Sequence, residues 1–216
     1  MTTADLVVND LIKILVEGSF VPIFAFLFGY GMIKMKESLE RRELGVKRHL
    51  VRRFFLLLGL GLLHATFLWE GDILTLYGSI GLFLLLFINR KKKTILVWGI
   101  TLFILSPLLL LDFKEIDKKN KVNENIITYI EKSITIYSSG TYSEIYDDRN
   151  NSDPLEIDEL EYLLLLILTP FIGAPLFLIG MYAAKNKWFH HPKNELPFYR
   201  KMMLLLIPSG IILKML

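Results

Sequence analysis

The chain has 216 residues, 53% of them apolar, and a mean hydropathy of +0.44, a composition too apolar for a soluble domain to cover with a polar surface. Charged residues make up 22% and nearly cancel at +3, yet they fall in blocks between long apolar runs, as expected when the runs lie in lipid and the connections in water. The absence of cysteine excludes disulfides, thiolate metal sites and cysteine nucleophiles.

The first ten residues hold Asp5 and Asp10 and no basic residue, so a cleaved signal peptide, which opens on a positive region, is not expected. The first apolar run covers residues 11–35, long enough at ~1.5 Å per residue to cross a core of ~30 Å. A basic connection follows, in which Lys34, Lys36, Arg41, Arg42, Lys47, Arg48, Arg52 and Arg53 outnumber Glu37, Glu40 and Glu43. That side is expected to face the cytoplasm.

A second span is predicted over 54–69 and a third over 73–89, joined as a tight helical hairpin by Glu70-Gly71-Asp72. Arg90 to Lys93 return to the basic side, and a fourth span over 94–111 leaves it again. Residues 112–161 carry thirteen acidic and six basic residues, against eight, four and five basic residues in the connections assigned to the cytoplasm, so this polar loop is placed outside. Within it Ile126, Ile127, Ile130, Ile134 and Tyr137 recur at helical spacing before Ser138-Ser139-Gly140, which predicts a surface-lying amphipathic helix with a stop signal. A fifth span over 162–184 contains Pro170 and Pro175, expected to kink it. A sixth run begins near Met202 and is expected to be cut short at Leu216. The fold class is therefore all-α: a polytopic transmembrane helical bundle of about six spans with an external amphipathic helix, forming one domain over 1–216 with the 112–161 loop inside it.

His64 lies within an apolar helix about five residues, or ~7.5 Å, below the outer turn. An ionisable group at that depth is a functional candidate, and a neutral imidazole is the form a general base needs; the alternative is a histidine that hydrogen-bonds across helices and holds the bundle together. Arg53 precedes His64 by eleven residues, close to a whole number of helical turns, which puts both on nearly one face ~16 Å apart. Arg53, with Arg48 and Arg52, has the fork geometry that suits phosphate oxygens, or serves only as a positive-inside anchor. Glu70 and Asp72 stand at the outer mouth, placed to orient the imidazole or to bind an incoming hydroxyl or amine, or acting merely as turn and cap residues. Trp69 and Tyr77 read as interfacial or packing aromatics. Phe20, Phe24 and Phe28 mark one helix face, and Gly29 and Gly31 suggest close helix packing. His190-His191 lacks companion ligands, and no metal site is expected.

The stretches SFVPIFAFLFGYGM, RRFFLLLGLGLLHATFLWEGDILTLYGSIGL, IYSSGTYSEIYDDR and LFLIGMYAAKNKWF resemble the YeiB-like family of bacterial membrane proteins (domain of unknown function 418). The portion from His64 through Trp69-x-Gly71-Asp72-Ile73-Leu74-x-x-Tyr77-Gly78 is the distinctive part. Members of that family carry a further helix before the one beginning near Leu11, with a Leu-Asp-x-x-Arg-Gly type motif, and several helices after the point where this chain ends, so the resemblance implies a partial copy. It also implies a multi-pass protein of the bacterial cytoplasmic membrane. More distantly the family is similar to membrane acyltransferases that pass an acyl group from cytosolic acyl-CoA to an acceptor on the far side. In one such group an arginine precedes the catalytic histidine with ten residues between them, the spacing of Arg53 and His64.

The resemblance thus implies an acyltransferase in which His64 activates an acceptor hydroxyl or amine, Asp72 or Glu70 orients it, and Arg53, Arg52 and Arg48 hold the phosphates of acyl-CoA. The implied partners are the lipid bilayer, acyl-CoA and a glycan or lipid acceptor, and not nucleic acid. Two other readings compete. Proline-interrupted spans with intramembrane ionisable residues also suit a transporter or permease. A non-catalytic membrane interaction protein is the third.

Overall fold

The computed structural model of the chain describes residues 8–9, 12, 18, 20–68, 73–111, 118–151, 159–190 and 195–215. Among these residues the regular elements are all α-helices: α1 (Phe20–Arg41), α2 (Val46–Phe67), α3 (Ile73–Leu84), α4 (Lys92–Leu111), α5 (Lys118–Ser139), α6 (Tyr142–Asn151), α7 (Glu159–Lys185) and α8 (Leu196–Met215). Two helical stretches are long and apolar enough to cross a membrane, Val46–Phe67 with 22 residues and Ile167–Lys185 with 19. At ~1.5 Å per residue they measure ~33 and ~28 Å against a hydrocarbon core of ~30 Å.

The central helix is α7, which packs most extensively on α1, then on α4 and α3, while α2 lies mainly against α3. The α1–α7 crossing depends on two glycines that face each other's helix. A Cβ at Gly29 would overlap the Phe177 carbonyl oxygen, and one at Gly180 would overlap that of Phe26. Backbones this close exclude any side chain, which is how small residues let apolar helices pack. Gly31 has no neighbour within 4 Å of the equivalent point, so only Gly29 of the expected pair makes the crossing. Likewise Phe20 and Phe24 are exposed, and Phe28 alone turns inward, where its ring meets Phe54, Tyr77 and Phe177 at 5.4–5.9 Å. The core formed this way includes the fully buried Leu50, Phe54, Ile80, Leu84, Leu178 and Met181.

Large apolar side chains also cover much of the outer surface of the helices. On α2, Phe55, Leu60 and Leu63 are 60%, 58% and 57% exposed. On α4, Val97, Phe103 and Ile104 behave in the same way.

The three basic connections gather at one end. Lys185 at the end of α7 donates to the carbonyls of Ile88 (2.9 Å) and Arg90 (2.6 Å) in the α3–α4 turn, and Lys92 donates to Asn186 Oδ1 (3.0 Å). Tyr30 on α1 donates to the Trp188 carbonyl at 2.8 Å. Helix α6 attaches to the opposite end of α2, so α6 and the basic start of α2 are separated by the length of that helix.

The boundaries differ from expectation in two places. Helix α1 continues to Arg41 and α2 starts at Val46, so Arg48, Arg52 and Arg53 belong to a helix and the connection shrinks to residues 42–45. Hydropathy marks only where the apolar run begins, whereas the hydrogen-bond ladder continues through arginine and lysine, which are good helix formers. The short turn closes with Glu43 in the left-handed region (φ 55°), Leu44 N donating to Leu39 O and Glu43 N to Glu40 O, a Schellman arrangement. The third expected span, 73–89, is helical only over the 12 residues of α3, ~18 Å. Beyond Leu84 the chain tightens into three-residue turns, Leu85 N to Leu82 O and Phe87 N to Leu84 O, and the Ile88 and Arg90 carbonyls accept from Lys185 instead of from a further helical turn.

The expected amphipathic helix is present as α5, with Ile127, Ile130, Ile134 and Tyr137 exposed. The beginning of the first expected span, residues 11–19, falls almost wholly outside the described residues.

Candidate functional site at the two ends of one apolar helix

Helix α2 carries the site because its inward stripe changes character along its length. Leu50, Phe54 and Gly61 are buried at spacings of four and seven, and His64, three residues further, continues the stripe half-buried. Arg53 lies on the adjoining row, also half-buried. Since the helix runs unbroken from Val46 to Phe67, the expected relation of Arg53 and His64 holds: nearly one face, eleven residues and ~16 Å apart along the axis.

Arg53 does not point into solvent. Its guanidinium sits over the Phe28 ring, 5.4 Å from the centroid, and Nη1 donates to Met35 Sδ at 3.4 Å. Stacking on an aromatic face is a contact that a lysine would not reproduce, and it fixes the cation against α1 at the basic end. Arg48 and Arg52 are exposed on the same end of α2, with Lys34–Glu37 (3.0 Å) and Lys36–Glu40 (3.3 Å) pairs on neighbouring α1. His49 Nδ1 lies 2.9 Å from the Gly45 carbonyl at the first turn.

At the other end the last carbonyls of α2 have no partners within their own helix and need donors from elsewhere. Leu68 N donates to His64 O (2.8 Å). Two later carbonyls are taken by α6: Arg149 Nη2 donates to Thr66 O and the Tyr142 hydroxyl to Phe67 O, both at 2.8 Å. A cation at a helix C-terminus also meets the negative end of the helix dipole. Asp148, beside Arg149, is buried at 7% exposure and pairs with Lys132 of α5 at 2.5 Å, which ties α6 to α5; Asp147 is exposed. The structure therefore brings Tyr142 and Arg149 of α6, a helix that also carries Asp147 and Asp148, to the end of α2 that bears His64. Glu70, Asp72 and Trp69, expected at this mouth, lie outside the described residues.

Sequence reasoning passed over this docking, although a signal for α6 was present. Thr141-x-x-Glu144 is a capping box: the Thr141 N–H and hydroxyl donate to Glu144 Oε2 (2.7 and 3.0 Å), and Glu144 N donates to Thr141 Oγ1 (3.4 Å). The two Thr141 donors hold the Glu144 carboxyl below its usual value, the backbone N–H being the larger cause. Tyr77 packs edge-on between Phe28 and Phe177, as expected for a packing aromatic. Among the described residues no group of three or more His, Asp and Glu side chains is placed to hold a metal ion.

Comparison with known proteins gives two similarities. The chain is 31% identical to the "Uncharacterized protein YxaH" of Bacillus subtilis (strain 168) over 220 aligned residues, 97% of this chain and 52% of that protein. It is 36% identical over 103 residues, 47% of this chain, to 29% of the "Uncharacterized 39.9 kDa protein in amylase 3'region" of Bacillus acidopullulyticus. No protein-family model and no solved structure matches the chain. Among its described residues the chain is thus all-helical, with two helices fit to cross a membrane, and it is similar to longer Bacillus proteins of which it spans about half the length or less.

Proposed function

We propose that this chain is a multi-pass protein of the bacterial cytoplasmic membrane, of the YeiB-like kind, that moves an acyl group from cytosolic acyl-CoA to a glycan or lipid acceptor on the far side. The observation that carries the reading is α2: one apolar helix with Arg53 near its basic end, His64 near the other, and an acidic helix docked beyond His64. Apolar side chains on the outside of α2 and α4 support lipid contact, since a surface of this kind in water would be a large hydrophobic patch. In this reading the six spans are α1, α2, α3 with its following turn, α4, α7 and α8, of which α2 and α7 contain stretches long and apolar enough to cross by themselves. Trp188, Phe189, Phe198 and Tyr199 cluster where the basic connections gather, as aromatics do at a membrane interface.

In this reading Arg48 and Arg52, exposed at the basic end, meet the CoA phosphates, while Arg53, held on Phe28, lines the way inward. His64 removes the proton from the acceptor hydroxyl or amine as its oxygen or nitrogen attacks the thioester carbonyl carbon. Collapse of the tetrahedral species breaks the C–S bond, and the imidazolium returns the proton to the departing CoA sulfur. A carboxylate at the outer mouth, Asp72 or Glu70 of the turn, orients the imidazole. The ~16 Å between Arg53 and His64 is a span that an extended pantetheine arm covers.

Protein reconstituted in vesicles with labelled acyl-CoA is expected to release CoA, and His64→Ala to abolish the release. Equal turnover in the variant removes the proposal. Because the natural chain has no cysteine, single cysteines introduced at 36–49 and at 112–160 report sidedness directly, and accessibility of both from one compartment overturns the topology. One observation favours a transporter instead: α7, the most central helix, contains Pro170 and Pro175. Solute flux without consumption of an acyl donor would establish that reading.

A further inference from the structure

Between α1, α3, α4 and α7 lies a cavity of about 210 Å³, walled by Ala25, Leu76, Ile80, Leu176 and Phe177. It is larger than the ~150 Å³ apolar cavity known to admit benzene. Its rim includes Val21 and Phe103, which are 50% and 57% exposed, so the cavity opens onto the apolar exterior of the helices rather than toward either polar end.

Two hydroxyls reach this apolar wall. That of Ser106 donates to the Phe103 carbonyl of its own helix at 3.3 Å. That of Tyr77 is buried and has no hydrogen-bond partner among the described residues. The Tyr77 ring is clamped edge-on by Phe28 (5.4 Å) and Phe177 (5.2 Å), so the hydroxyl is held in place instead of turning toward a carbonyl. Buried donors without acceptors are rare and call for a reason. An apolar cavity with a single fixed donor suits an apolar chain that carries one acceptor.

Depth narrows the choice. Gly81 lies against the Phe54 ring and Gly78 against Leu58, so antiparallel α3 places Tyr77 roughly level with Leu58. That level is five or six residues from both Arg53 and His64, ~8 Å from each along α2. Phe28 touches both the Arg53 guanidinium and the Tyr77 ring, so the arginine and the cavity share one wall.

We infer that this cavity seats the acyl chain of the thioester donor, with the Tyr77 hydroxyl donating to an oxygen at the head of that chain. The inference rests on the acyl-transfer reading and adds to it a chain-binding site between the phosphate-binding rim and the base.

The test uses the full chain in vesicles of phosphatidylethanolamine and phosphatidylglycerol and a fatty acyl-CoA bearing a diazirine along its chain. Photolabel is expected on α3 and α7 peptides, with competition by unlabelled acyl-CoA. Tyr77→Phe should weaken probe binding about five- to tenfold, the worth of one neutral hydrogen bond. Ser106→Phe, which fills the cavity, should abolish cavity labelling while the protein keeps its elution profile. Undiminished labelling in a folded Ser106→Phe variant overturns the site, as does stronger labelling by a diazirine phospholipid that acyl-CoA fails to displace. If the unmodified protein is labelled in the cavity but releases no CoA, acyl transfer is wrong and the chain site stands. Normal CoA release by Ser106→Phe means the reverse.

Discussion

The α1–α7 crossing gives the sharpest test of the packing, because its contact is backbone against backbone. A Cβ at Gly29 would come within 2.7 Å of the Phe177 carbonyl carbon, and one at Gly180 within 2.9 Å of the Phe26 carbonyl carbon. Carbon atoms pack at ~3.5–4.0 Å, so each methyl needs the helices to separate by about 1 Å. Neither atom belongs to a flexible side chain that can swing aside. Overpacking of this kind costs ~1–3 kcal/mol, and the absence of side-chain relief points to the upper part of that range even after alanine's better helix propensity is subtracted. For a protein of this size ~1–3 kcal/mol corresponds to a fall of roughly 2–12 °C in melting temperature. Gly31→Ala is the internal control: with no neighbour within 4 Å it should be neutral or slightly stabilising. The double variant Gly29→Ala/Gly180→Ala should cost less than the sum of the singles, since the first methyl already opens the crossing. Thermal unfolding of the detergent-solubilised protein, followed by monodisperse elution, measures all four. If Gly29→Ala and Gly31→Ala melt together, the close approach does not exist.

Two further expectations concern the end of α2 that α6 caps. Arg149→Ala removes the donor to the Thr66 carbonyl, and hydrogen exchange across α6 should quicken about tenfold, the worth of a charged hydrogen bond at the lower end of its range, while α1 and α7 stay unchanged. Equal effects on α7 would show that Arg149 does not act through docking of α6. Glu144 supplies a pH dependence. Its carboxyl is held below its ordinary 4.5 by the Thr141 donors, so its contribution to α6 is fully present above that value and is lost as pH falls through the lowered folded value. Exchange at the first turn of α6 should therefore rise on acidification below pH 4.5, and Glu144→Gln should remove that rise; persistence of the rise in the variant would assign it to another group.

The apolar runs made the helices legible, and the charge blocks made their ends legible. Both signals are one-dimensional: burying a backbone in an apolar medium forces helical hydrogen bonding, and charge stays where water is. His64 and Arg53 could be placed on one face because a helix has a fixed rotation per residue. The amphipathic stripe of α5 was readable for the same reason.

Which helix lies beside which, and through which face, was not readable. A helix that is apolar all round has lost the periodic contrast that separates inside from outside, so nothing in the sequence marked α7 as central or distinguished Gly29 from Gly31. The stacking of Arg53 on Phe28 joins residues 25 apart, and the docking of Arg149 on Thr66 joins residues 83 apart. Local pattern determined the helices, their apolar character and the separation of charge. Only tertiary packing decided the Gly29–Gly180 crossing, the partner of Arg53, the capping of α2 by α6 and the cavity around Tyr77, because each depends on surfaces brought together from distant parts of the chain.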